Sequence, residues 1–203
     1  MAKSNRKAEG QVPAGFNFTQ QMQRLCTDIA TRLPEMNHVD MQQVAVSFSQ
    51  ARTPELHGLQ AKLTPLRFEG GKVVTKRRGR VWTVEKLLNH DGQELLYILS
   101  FYLPRFMDQP FAEKLTTIFH ELWHISPHFD GDLRRHPGRC YAHSHSQKEY
   151  DEFSAELGRQ WLKLNPPDEL FSFLHLNFAQ LWQLHGRVYG LKIRTPKLIA
   201  TPD

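Results

Sequence analysis

Along this chain apolar residues recur first at helical spacing, then in alternation, then at helical spacing again, and that order sets the expected architecture. Phe18, Met22, Leu25, Ile29 and Leu33 stand three or four residues apart, which predicts a helix over about 18–33. Asn17 with Gln20 resembles an N-cap with its reciprocal partner, and Pro34 follows the end. Alternation begins at Val44–Ser49 and predicts a strand. A second strand falls within Gly58–Phe68, where Pro65 either demotes it to an edge or breaks it. Gly70-Gly71 turns the chain, Lys72–Val74 and Arg80–Leu87 read as two further strands, and Asn89–Gly92 is another turn. Glu94–Tyr102, rich in Leu, Tyr, Ile and Phe and closed by Pro104, carries the strongest strand signal.

Helical spacing returns with Phe111, Leu115, Ile118, Phe119, Leu122 and Ile125, predicting a helix over about 110–125. Tyr150, Phe153, Leu157, Trp161 and Leu164 mark the buried stripe of a helix over about 147–164, with Ser146 and Glu149 as its capping box and Asn165-Pro166-Pro167 ending it. A final helix, about 168–185, is apolar on most sides through Leu170, Phe173, Leu174, Leu181 and Trp182, so it is expected at the centre of a helical part, with Gly186 as C-cap. Residues 1–15 read as a mobile basic tail, 16–190 as a single domain and 191–203 as an extended C-terminal tail. The expected fold is α+β: a small mixed or antiparallel sheet with the 110–125 helix packed on one face, then a C-terminal helical part.

That helix carries the chain's tightest metal-binding spacing. His120 and His124 are four residues apart, and at about 100° per residue they sit roughly 40° apart on one face, one turn above the other. Two imidazoles then reach one ion, and Zn²⁺ suits imidazole nitrogen, a catalytic site using three protein ligands and a water. Glu121 stands beside that water as the general base for attack on a carbonyl, the H-E-x-x-H pattern of zinc metallopeptidases. The 21 residues after His124 hold four more histidines, His128, His136, His143 and His145, of eleven in the chain. A third ligand is available among them. A compact arrangement would use Asp130, but the position that it fills with Gly is Pro127, which cannot take positive φ. Glu149, Glu152 and Glu156 on the following helix are further carboxylate candidates.

Composition narrows the setting. The chain has 203 residues and 40% hydrophobic content, enough for one domain with a real core. No apolar run approaches the ~20 residues of a membrane span, and the polar start has no apolar signal core, so a cytoplasmic protein is expected. Cys26 and Cys140 make no disulfide framework and read as reduced thiols. The net charge of +5 comes largely from the N-terminal tail and the 72–80 segment. Lys76, Arg77, Arg78 and Arg80, read without an aromatic platform nearby, look like a solvated hairpin turn, with salt-dependent nucleic-acid contact as the alternative.

His-Glu-Leu-Trp-His-Ile at 120–125, followed by Phe129-Asp-Gly-Asp-Leu-Arg-Arg-His136, resembles the zincin-type metallopeptidases found in phages and bacteria, over residues of about 40 to 155. In that group the motif is followed about a dozen residues later by a Gly-x-x-Arg-x-His-like element, here Gly131, Arg134 or Arg135, and His136. The resemblance implies a zincin-like fold, the preceding strand Tyr97–Tyr102 as neighbour of the motif helix, and His136 as third zinc ligand, with His143 and His145 as alternatives on an inserted stretch. It implies a peptide or protein substrate. The strand Leu95–Tyr102 is read either as an edge to which an extended peptide adds or as a core strand. Oxyanion helpers are sought among Arg134, Arg135, Tyr141, His143 and His145. Two other readings stand beside metallopeptidase: a nucleic-acid-associated protein docked by its basic segments, and a non-catalytic protein whose zinc shell is closed by four protein ligands.

Overall fold

The structure is a computed structural model and describes residues 15–51, 58–135 and 147–201. In chain order the elements are β1 (Phe16–Asn17), α1 (Phe18–Arg32), β2 (Val44–Gln50), β3 (Ala61–Pro65), β4 (Val74–Arg77), β5 (Arg80–Val84), β6 (Tyr97–Leu103), α2 (Phe111–Trp123), α3 (Gln147–Lys163), α4 (Asp168–Phe171), α5 (Phe178–His185), β7 (Val188–Tyr189) and β8 (Leu198–Ala200). The architecture is α+β. Among the described residues no helix is long and apolar enough to cross a membrane.

The main sheet has strand order β2-β6-β3, with β2 parallel and β3 antiparallel to β6. Tyr97, Ile98, Leu99 and Phe101 of β6 are buried, as suits a strand flanked on both sides. The reading of Leu95–Tyr102 as an edge is therefore corrected: β6 is central, and β2 and β3 are the edges. Antiparallel ladders alternate bonded and non-bonded pairs. Tyr102 N donates to Gln60 O and Leu66 N to Leu96 O, so the bonded pairs fall on even positions of β3. Ala61, Leu63 and Pro65 thus turn their backbone groups outward. Pro65 costs the ladder no hydrogen bond, which is why the strand tolerates it.

One core unites sheet and helices. α1 buries Phe18, Met22, Leu25, Cys26 and Ile29, and α2 buries Leu115, Ile118, Phe119 and Leu122 into the same cluster as Tyr97, Leu99 and Phe101. Burial pushes the Cys26 thiol up to about 12, so it stays protonated. Helix α3 lies against α2, and Gly158 lets it approach closely: a Cβ there would stand 3.2 Å from Leu115 side-chain atoms.

Three expectations about the second half change. The single helix over 168–185 is two helices with a 3-10 turn, Ser172–His175, between α4 and α5. Asn177 and Gln180 form a full capping box that starts a new helix, and buried Lys114 of α2 takes the carbonyls of Leu174 and Leu176 through its Nζ, at 2.9 and 2.7 Å. Helix α5 lies at the surface: Leu181 is buried, while Trp182 is 48% exposed. The expected C-terminal tail instead returns a strand, β8, to β5, making a second sheet β4-β5-β8. In that sheet the hairpin turn is Arg78-Gly79, both at positive φ, which suits the right-handed twist of the strands; Lys76 and Arg77 belong to β4 itself. Trp82, two residues after Arg80, shares its face of β5, so the basic turn does have an aromatic neighbour. The predicted Ser146 cap, Cys140 and the tail to residue 14 lie outside the described residues.

Candidate metal centre

His120 occupies the last turn of α2 and His124 is its C-cap, their ring centroids 4.8 Å apart. The helix tightens as it ends, with His124 N donating to Glu121 O. Its last carbonyls would otherwise be orphaned. The hairpin that follows closes them: Ile125 bridges Leu133, Arg134 N donates to His124 O at 2.7 Å, and Arg134 Nε donates to Trp123 O at 2.8 Å. The Arg134 guanidinium also lies over the Trp123 ring, 3.6 Å from its centroid. Arg134, sought as an oxyanion helper, thus caps α2. Arg135 is held by Asp132 at 2.8 and 3.0 Å.

The loop between is fixed from below. Gly131, at φ 84°, has its amide on the Tyr97 hydroxyl, and that hydroxyl donates to Asp132 O. Asp130 Oδ1 accepts from Asp132 N, an Asx turn that commits this carboxylate locally. His128 is exposed, its backbone on Ser126 Oγ.

Both histidines are held from the first two turns of α3. His120 Nδ1 stands 2.9 Å from Asp151 Oδ1, and His124 Nδ1 stands 3.1 Å from the Tyr150 hydroxyl. An ionised carboxylate only accepts, so Nδ1 of His120 carries the proton and its lone pair sits on Nε2. The Tyr150 ring is 4.7 Å from His120 and stacks on His124 at 5.0 Å, fixing both ring planes. Burial raises the Tyr150 hydroxyl well above the ordinary phenol range, so it remains protonated. His124 is buried.

Glu121 faces β3. Its Oε2 accepts the outward amide of Leu63 at 2.6 Å. Desolvation pushes its carboxyl up to about 7, against the lowering pull of the Leu63 amide and of Lys62.

His120, Glu121 and His124 are thus brought together as the spacing required. His136, His143, His145 and Tyr141 lie outside the described residues, and among the described residues no group of three His, Cys, Asp or Glu side chains is arranged to hold an ion. The two-histidine set nevertheless fits a zinc ion in kind: two imidazoles one turn apart, each with a hydrogen-bond partner at Nδ1, so that a ring protonated at Nδ1 would ligate through Nε2. Asp151 and Tyr150 were missed in the sequence, where Tyr150 read as buried stripe and the carboxylates considered were Glu149, Glu152 and Glu156. The available signal was position: Asp151 directly follows a stripe residue in the helix facing α2. A groove of about 1290 Å³ between α1 and the outer side of β2 contains none of these residues. No protein-family model, curated protein or solved structure matches the chain significantly.

Proposed function

We propose that this protein is a zinc-dependent metallopeptidase with a zincin-like arrangement. His120 and His124 hold the ion, and His136 is the third ligand, with His143 and His145 as alternatives. The observation that carries the reading is the pair of imidazoles one turn apart, each with Nδ1 held by α3, beside a carboxyl raised to about 7. The hairpin bridge supports His136, since it returns the chain to His124 at Arg134, two residues before it in sequence.

When bound, the ion supplies Lewis acidity, lowering the pKa of water and polarising a carbonyl. Glu121 moves the proton. With Oε2 on the Leu63 amide, Oε1 is the oxygen placed to take a proton from the attacking water and deliver it to the leaving nitrogen. Asp151 holds the His120 proton and sharpens the ring's basicity, and the Tyr150 hydroxyl orients the His124 ring.

A peptide substrate is favoured by where Glu121 sits. β3 is an edge strand whose Leu63 amide meets Glu121 Oε2, so an extended chain lying along β3 would run past the carboxyl. Zinc-loaded Glu121→Gln should keep its metal and lose hydrolysis of a peptide library by about 10²–10⁴-fold. Unchanged turnover would move the base elsewhere.

A further inference from the structure

We infer that the β4-β5-β8 sheet is a docking surface for single-stranded nucleic acid, a property separate from the peptidase reading. The first observation is charge segregation. Residues 72–86 carry six Lys or Arg against one Glu, and residues 191–201 carry three against none, so +8 is gathered on segments of a chain whose total is +5. The fold joins them: β8 pairs with β5, with Ala200 opposite Trp82 and Leu198 opposite Val84, and Glu85 N donates to Lys197 O.

These cations are exposed. Among the described residues only Lys86 of the nine makes an ion pair, with Glu94 at 3.9 Å. Arg77 and Arg80 are direct cross-strand partners, flanking the Arg78-Gly79 turn. Like charges directly opposite destabilise a hairpin, and an anion between them removes that cost. A polyanion with regularly spaced phosphates fits such a row.

The aromatic neighbour selects the partner. Trp82 is half-buried on the face that also carries Arg77 and Arg80, where an unpaired base can stack and a duplex cannot offer one. A bilayer suits the hairpin poorly. Its tip is Arg78-Gly79, with no apolar side chain to enter lipid, and the exposed Val74 and Leu198 lie toward the other end of the strands.

The test is fluorescence anisotropy of a labelled oligothymidylate with the full chain over a salt series, with a duplex of equal length and phosphatidylserine vesicles as parallel probes. The parent should bind the single strand most tightly, with affinity falling as salt rises. Arg77→Ser with Arg80→Ser should weaken binding at least about tenfold and flatten the log–log salt slope by about 1.4. Trp82→Leu should weaken it roughly fivefold or more at an unchanged salt slope, and Trp82→Phe should restore most of the loss. The inference is overturned if the parent does not bind the oligonucleotide, if duplex or vesicles bind as well or better, or if Arg77→Ser with Arg80→Ser, or Trp82→Leu, binds like the parent.

Discussion

The Leu63 amide, on the outward edge of β3, donates to Glu121 Oε2 at 2.6 Å, tying the motif helix to the sheet through its reactive carboxyl. The bond needs an acceptor at that place but not a charge. Glu121→Gln keeps one, whereas Glu121→Ala leaves the amide unpaired at a half-buried site. Urea unfolding should therefore show Glu121→Ala destabilised by about 1–3 kcal/mol and Glu121→Gln by less than about 1 kcal/mol. Equal losses in the two variants would mean that the bond contributes nothing to the fold.

In the proposed centre Asp151 and Tyr150 would set the histidine rings rather than bind the ion. Asp151→Asn and Tyr150→Phe should each lower zinc affinity about 10–100-fold, read by competition with a chromogenic chelator, while leaving one site per chain. Loss of the site altogether in Asp151→Asn would make Asp151 itself a ligand.

How much of this was legible beforehand divides along physical lines. Local periodicity is enough for α1, β2 and α2, because burial of one face is written into the spacing of residues such as Phe18, Met22 and Leu25. Partner order is not local. That β6 is central and β3 is an edge follows from pairing across some 35 residues of sequence, and only Pro65 hinted at it. The break in the final helix was visible in Asn177 and Gln180, but the apolar run on both sides outweighed it. At the candidate site the closeness of His120 and His124 could be read from spacing alone, while the contacts of Asp151 and Tyr150 depended on how α3 docks on α2.

Lys114 gives a stability signal independent of the metal. Its ammonium is buried on two carbonyls, and desolvation lowers its pKa from 10.5 to about 8. From pH 8 to 10.5 the unfolded chain retains a proton that the folded chain has released, so this residue's contribution to stability rises with pH, by up to about 3 kcal/mol. Lys114→Met lacks the titration. The unfolding free energy of the parent minus that of Lys114→Met should climb across this window, and a flat difference would show that the ammonium is not desolvated.

The third ligand is decided by comparing single substitutions. Zinc affinity should fall far more in His136→Ala than in His143→Ala or His145→Ala, by about a hundredfold or more against tenfold or less. A larger loss in either of the latter two would reassign the ligand.

The central claim is that His120 and His124 hold one zinc ion, and metal stoichiometry tests it most directly. Protein loaded with zinc and exhaustively dialysed should contain one zinc per chain by elemental analysis, and His120→Ala or His124→Ala, folded by circular dichroism, should contain almost none. Full zinc content in both variants would contradict the account.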